Sequence, residues 1–185
     1  MKEKSQKIYS RNEVRKETSQ YFKGDELAAE VWVNKYCLKD SDGNLYEKSP
    51  KDMHWRLAEE LARIESKYPN PISKEEIFET LDGFNRIVPQ GGSMSGIGNN
   101  KQIVSLSNCF VIGDGNKTDS YGGILKTDQD QVQLMKRRGG VGHDLSHIRP
   151  NGSPVKNSAL TSTGVVPFME RYSNSTIEVA QDGRK

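Results

Sequence analysis

The sequence has no apolar run approaching the roughly 20 residues that a bilayer-crossing helix needs, and no secretory leader. Both absences point to a cytoplasmic protein with no membrane partner. Cysteine is scarce: Cys37 and Cys109 stand alone, without a CxxC pair, which excludes a disulfide framework and leaves two thiols reduced at rest. Histidine is equally scarce, with His54, His143 and His147 only. The H-x-x-x-H spacing of His143 and His147 falls in a glycine-rich segment, without the helix and further ligands a metal site requires, so no metal site is expected and both read as polar supporting groups. No charge of one sign dominates. The 27 basic and 25 acidic residues are mixed along the chain and leave a net charge of +2, which argues against nucleic acid as a partner and for a small anion. Apolar residues are also few, at 33% of 185 with a mean hydropathy of −0.79, which is lean for a self-contained domain of this length. Part of its surface is expected to be covered by something else. No internal repeat or low-complexity tract interrupts the chain.

Against that background one stretch stands out, Val104–Ile112, which reads V-S-L-S-N-C-F-V-I. Strand alternation would put Val104, Leu106, Phe110 and Ile112 on a packing face and Ser105, Ser107, Cys109 and Val111 on the other. Asn108 breaks the pattern, because a carboxamide on a packing face needs a hydrogen-bond partner or a ligand. A free cysteine is most often a small buried hydrophobe; the flanks favour chemistry here. Before the strand, residues 89–100 read P-Q-G-G-S-M-S-G-I-G-N-N, a glycine-rich loop able to bring backbone N–H groups close to an anion, although no Gly-Lys-Ser/Thr ending makes it a P-loop.

The rest of the chain supplies the frame. Residues 1–24 carry seven Lys/Arg against three Glu and few large hydrophobes, and read as a flexible basic lead-in. Residues 25–88 read as a helical layer. Asp25 caps a helix running to about Leu38, with Leu27, Ala28, Val31 and Trp32 as its apolar face and Cys37 as core. Ser49-Pro50 opens a second, with Met53, Leu57, Leu61 and Ile64 as its stripe, and Ser73-Lys-Glu-Glu76 is a capping box for a third. Asp40–Asn44 is a turn with Gly43 at positive φ. After the cysteine strand come a helix within 119–138, a second close-approach turn at Gly139-Gly140-Val141-Gly142, and a strand over 141–145. A proline-stiffened loop then holds Arg149 and Lys156, two cations suited to a phosphate chain, and a last helix over 163–179 carries Val165, Phe168, Met169 and Tyr172.

Seven ordered blocks in residues 89–185 resemble the large, catalytic chain of ribonucleotide reductases: P-Q-G-G-S-M-S-G-I-G (89–98), S-L-S-N-C-F-V-I (105–112), D-S-Y-G-G-I (119–124), R-R-G-G-V-G (137–142), H-I-R-P-N-G-S-P-V (147–155), S-T-G-V-V-P-F (162–168) and A-Q-D-G-R (180–184). The resemblance implies an α/β fold in which the helical N-terminal layer is followed by the first strands and helices of a ten-stranded α/β barrel, present here as an incomplete barrel over 89–185. It implies that Cys109 is one of the redox thiol pair that reduces a ribonucleoside di- or triphosphate to the 2′-deoxyribonucleotide. Ser93, Asn108, Gly139 and Gly140 would contact the substrate. Asp119, Ser120, Arg149 and Lys156 would bind a deoxynucleoside triphosphate or ATP effector, and Gln181 and Arg184 would belong to the loop linking the two sites.

The same resemblance places the radical-bearing cysteine and the second redox cysteine downstream of the matched blocks, so that activity requires a C-terminal part of the reductase. It implies thioredoxin or glutaredoxin as reductant and a homodimer. The S-L-S-N-C-F-V-I and D-G-R wording, with no ATP-cone before it, resembles the adenosylcobalamin-dependent members more than those served by a di-metal radical subunit. A different class of function stays open beside this one: a non-catalytic nucleotide-binding and dimerisation module that keeps only the effector site.

Overall fold

A computed structural model describes residues 7–113 and 115–179, and the chain divides into two compact units, Met1–Leu106 and Ser107–Lys185. The division falls after Leu106, rather than at residue 88 where the helical reading ends.

The first unit is helical. Residues 11–21, expected to be part of a flexible lead-in, form helix α1 (Arg11–Tyr21), closed by a capping box in which Ser10 and Glu13 satisfy each other's backbone N–H groups. This part of the lead-in is ordered because Val14 and Thr18, one turn apart, are both fully buried and the Thr18 hydroxyl donates to the Lys48 carbonyl at 3.2 Å. Helix α2 (Glu26–Lys35) starts at Asp25, whose carboxylate accepts the Ala28 N–H at 2.9 Å, and stops short of Leu38. Its buried face is Ala29, Trp32 and Val33, while Leu27 is 75% exposed. Both stripes have helical spacing and share Trp32. The indole decides between them by donating to Met53 Sδ at 3.4 Å and turning the Leu27–Val31 side outward. Cys37 and the Gly43 turn lie as expected, the one buried and the other at φ 84°.

Helix α3 (Pro50–Glu65) has proline in its first turn, and helix α4 (Lys74–Leu81) carries the Ser73–Glu76 capping box. Trp55 and Phe78 stack at 4.0 Å between ring centres and join the two helices. From the expected stripe of α3, Met53 and Leu57 are buried, whereas Leu61 is not. The glycine-rich segment is not an open loop: it forms a short helix, α5 (Gly91–Gly96), whose Met94 enters the core formed by Val14, Trp32, Val33, Cys37, Leu45, Met53, Leu57 and Leu81. Arg56 closes its end. The guanidinium donates to the Met94 carbonyl at 2.8 Å and to the Ile97 carbonyl, while its Nε binds the buried Glu47 carboxylate at 2.7 Å. Gly98, at φ 69°, lies so close to Arg56 that a Cβ would fall 2.8 Å from the arginine Cγ. Close approach is what this glycine provides, and it is approach to protein.

The second unit is a β–α–β element with one further helix. Strand β1 (Cys109–Ile112) pairs in parallel with β2 (Gly140–His143), and helix α6 (Tyr121–Met135) connects them. Cys109 sits opposite Gly140, and Ile112 opposite His143. The strand begins later than the sequence pattern suggests, at Cys109, and Leu106 belongs to the first unit. Within it the alternation holds: Phe110 and Ile112 are half-buried, Cys109 and Val111 exposed. Helix α7 (Val166–Glu178) packs on α6 through Tyr172 and Ser175, leaving Met169 outward. Among the described residues no helix is long and apolar enough to cross a membrane.

Candidate functional site

Two groups of candidate residues come together in the second unit. The first surrounds the thiol. Cys109 is exposed and begins β1; across from it the Gly140 N–H donates to the Asn108 carbonyl at 2.6 Å. A Cβ added to Gly139 would fall 2.7 Å from the Phe110 ring, so only glycine lets the chain turn from α6 into β2 this close to the strand. Asn108, Cys109, Gly139 and Gly140 are therefore one local structure, built on two paired strand ends. Ser93 belongs to the first unit, where its carbonyl accepts the Ile97 N–H at the end of α5. Cys37 is chemically different from Cys109. Its buried thiol donates towards the Glu47 carbonyl, and burial pushes it up to about 12, far from the thiolate that redox exchange uses.

The second group is a cleft of about 700 Å³ lined by Asp119, Ser120, Arg149 and Lys156 together with Tyr121, Ile124, Phe168 and Arg171. The four residues expected to meet at one anion site do line one cavity, although 37 positions separate the first from the last. Their local roles differ. Asp119 and Arg149 form a fork: Arg149 Nε reaches both carboxylate oxygens at 3.0 and 2.8 Å, Nη2 adds a contact of 2.8 Å, and the Arg149 backbone N–H donates at 3.2 Å. The hydrogen bonds from Arg149 hold the Asp119 carboxyl below the usual carboxylate range. Arg149 Nη1 also donates to the Pro154 carbonyl at 3.0 Å, tying down the loop that carries Lys156. That loop is a small hairpin, closed by bonds from Gly152 N to Ser162 O (2.9 Å) and from Ser162 N to Ser153 O (2.8 Å).

Ser120 caps α6. Its Oγ accepts the Gly123 N–H at 3.0 Å and donates to the Lys117 carbonyl at 2.9 Å. Gly123 is obligatory at that corner, since a Cβ there would lie 2.0 Å from the Lys117 oxygen. This accounts for the D-S-Y-G-G-I block: aspartate anchors the cationic loop, serine starts the helix, and glycine admits the preceding turn. The α6 N-terminus thus opens on the cleft, with Tyr121 and Phe168 as an aromatic wall, 6.5 Å apart edge to face.

Behind the cleft, α6 and α7 meet through polar groups that the sequence pattern did not reveal. Gln131 is fully buried; its Nε2 donates to the Tyr172 carbonyl and the Thr176 hydroxyl, both at 2.8 Å, and its Oε1 lies 2.7 Å from His143 Nε2. Because Gln131 accepts there, His143 carries its proton on Nε2. The imidazole stacks on Tyr172 at 4.4 Å, and burial lowers its pKa. His143 is thus a joint between β2, α6 and α7. Arg171, on the same interface, binds Asp128 at 2.9 Å. In a single sequence, Arg171 and Asp128 look like ordinary helix-surface charges, and nothing in their spacing pairs them. Gln181 and Arg184 lie outside the described residues. Among those described, no three His, Cys, Asp or Glu side chains gather as a metal-binding group.

Known proteins agree with this division. Residues 22–96 match the ribonucleotide reductase all-alpha domain and residues 107–185 the ribonucleotide reductase barrel domain. The ribonucleoside-diphosphate reductase subunit alpha of Helicobacter pylori is 29% identical over 164 residues, covering 89% of this chain and 20% of that protein. The ribonucleoside-diphosphate reductase large chain of Schizosaccharomyces pombe is 36% identical over 80 residues, covering 43% of this chain and 10% of the relative. Large chain 2 of Saccharomyces cerevisiae is 35% identical over 80 residues, 43% of this chain and 9% of the relative. The chain belongs to the ribonucleotide reductase large-chain family, with the helical domain and the start of the barrel domain. Its match spans about a fifth of the length of the Helicobacter pylori relative.

Proposed function

We propose that this chain supplies the effector-binding and first thiol-bearing part of a ribonucleotide reductase. The observation that carries the reading is the convergence of Asp119, Ser120, Arg149 and Lys156 on one cleft that is also lined by the aromatic pair Tyr121 and Phe168. A cationic and hydrogen-bonding side beside an aromatic side suits a nucleotide, with phosphates towards Lys156 and the α6 N-terminus and the base against Tyr121 or Phe168. The ligand is a deoxynucleoside triphosphate or ATP.

Cys109 acts as a redox thiol. In that role it and a second thiol form a disulfide, giving up two electrons and two protons as the ribose 2′-hydroxyl leaves as water. Exposure and the strand-edge position suit Cys109 to this exchange, whereas buried Cys37 is unsuited to be its partner. The second thiol and the radical-bearing cysteine come from a C-terminal part of the reductase, and thioredoxin or glutaredoxin restores the thiols. Ser93, Asn108 and the Gly139-Gly140 backbone contact the substrate, a ribonucleoside diphosphate by analogy with the relatives' names. A second copy pairs through α6 and α7, whose Leu125, Val166, Met169 and Ile177 are exposed. The radical is generated by adenosylcobalamin or by a separate di-metal subunit; among the described residues no three His, Cys, Asp or Glu side chains gather to hold a metal ion.

Calorimetric titration of the chain with dTTP and dATP, beside Arg149→Ala, tests the cleft. Saturable binding to the unsubstituted chain is expected, with a loss of at least tenfold in Arg149→Ala, because the substitution frees Asp119 and the Lys156 hairpin together. A folded chain that binds neither nucleotide sinks the reading.

A further inference from the structure

We infer that Arg171 is a polyphosphate-contacting residue of the cleft and that Asp128 positions it; this rests on the nucleotide reading of the cleft. The three cations that line the cavity are not equivalent. Arg149 has its fork closed by Asp119 and its Nη1 on Pro154, so its charge is matched and each of its three nitrogens already bonds to protein. Lys156 is exposed and makes no ion pair among the described residues, but it is a single flexible ammonium. Arg171 combines what the other two lack. Its side chain is 43% exposed in the cleft lining, and its Nε alone is held, at 2.9 Å by Asp128 Oδ2. Nη1 and Nη2 make no bond among the described residues, so the planar group keeps its two terminal nitrogens for an anion while its inner edge is fixed.

Asp128 is built to hold such an arginine. Its side chain is 11% exposed on α6, and its Oδ1 is buried without a hydrogen-bond partner. A carboxylate in that position keeps a strong hold on the one cation within reach, which reduces the ordering cost when a phosphate arrives at the other edge. The partner chemistry is a chain of phosphates rather than one, because Lys156 on the hairpin and Arg171 on α7 are separate donors at one cavity.

The test compares dTTP with dTMP on the 185-residue chain and on Arg171→Gln and Arg171→Lys, with thermal unfolding confirming that each variant is folded. The ratio of the two dissociation constants is the readout, since a loosened cleft weakens both ligands alike. Arg171→Gln is expected to weaken dTTP by on the order of tenfold and dTMP by less than about threefold. Arg171→Lys is expected to fall between it and the unsubstituted chain, because one ammonium cannot hold Asp128 and a phosphate through separate edges. Unchanged dTTP affinity in both variants, or equal losses for dTTP and dTMP, overturns the assignment of Arg171 while leaving the cleft a nucleotide site. Failure of the unsubstituted chain to bind dTTP overturns both.

Discussion

The two units solve the problem of a lean composition in opposite ways. In Met1–Leu106 the scarce large hydrophobes converge: Val14, Trp32, Val33, Leu45, Met53, Leu57, Leu81 and Met94 form one cluster, with Arg56 and Glu47 satisfying each other at its edge. In Ser107–Lys185 the described buried apolar side chains are Ile124, Met135 and Tyr172, and they share the interior with Thr118, Thr127, Asp128, Gln131 and Ser175. Meanwhile Val111 is 83% exposed at the strand surface. The first unit is held by burial and offers little free chemistry. The second is held by directed hydrogen bonds, and its exposed thiol and open cleft are what that economy leaves available. A two-stranded sheet with an uncovered apolar residue is also how the start of a barrel looks when its neighbouring strands are not on it.

The sharpest way to break this comparison is to remove volume from the first unit. Leu57→Ala deletes a side chain that is 1% exposed in the middle of the cluster, and is expected to cost roughly 2–5 kcal/mol. Trp32 and Trp55 both lie in this unit, so the midpoint of a urea titration followed by tryptophan fluorescence reports it directly. A loss below about 1 kcal/mol would mean the cluster does not carry the stability assigned to it.

The second unit is expected to respond to backbone geometry instead. Gly123→Ala places a methyl group 2.0 Å from the Lys117 oxygen and should cost roughly 1–3 kcal/mol or more, with loss of nucleotide binding as the α6 corner opens. Its neighbour is the control. A Cβ at Gly122 meets nothing within 4 Å, so Gly122→Ala should be neutral or stabilising by up to about 1 kcal/mol through helix propensity. Circular dichroism melts with dTTP calorimetry separate the two; equal behaviour would contradict the corner geometry.

How far the sequence could be read follows the same division. Capping signals are local, and Asp25 and Ser73 cap the helices expected of them, whereas Ser49 precedes α3 without a side-chain cap bond and leaves the start to Pro50. Burial depends on partners distant in sequence. The buried face of α2 differs from the expected one because Trp32 fits two stripes and only Met53 chooses between them, and the 1–24 lead-in reads as flexible because nothing nearby in sequence shows where Val14 and Thr18 pack. The glycine-rich run looked like a ligand loop because close approach to a phosphate and close approach to Arg56 demand the same residue. In the second unit, the ordered blocks located Asp119, Ser120, Arg149 and Lys156 in one place, but the fork between Asp119 and Arg149 needed coordinates. Gln131, Asp128 and Arg171 were illegible for a physical reason: they are polar residues on helix faces, where solvation is the usual fate, and their burial exists only once α6 and α7 meet.

The smallest expected effect is on pH dependence, and it compares the units most directly because each holds one histidine whose pKa burial lowers. His54 is fully buried beside Tyr21, Asp82 and Phe84, with Nε2 unpartnered among the described residues, and burial lowers its pKa despite the Asp82 carboxylate 3.9 Å away. His143 is lowered for the same first reason, opposed by Asp128, but it is only half-buried and its Nε2–H already has an acceptor in Gln131. Each group binds its proton more readily unfolded than folded. The stability each contributes is therefore complete above the unfolded value near 6.5 and is lost as pH falls below it towards the folded value. By the tryptophan signal, the first unit should unfold at a lower urea midpoint at pH 5.5 than at pH 7.5, and His54→Phe should flatten that difference. His143→Phe should leave the tryptophan signal's pH dependence as it was, since the proton it excludes belongs to the other unit. If the two substitutions act alike on that signal, the units are coupled in unfolding and the contrast between a packed body and a hydrogen-bonded one describes their interiors but not their stabilities.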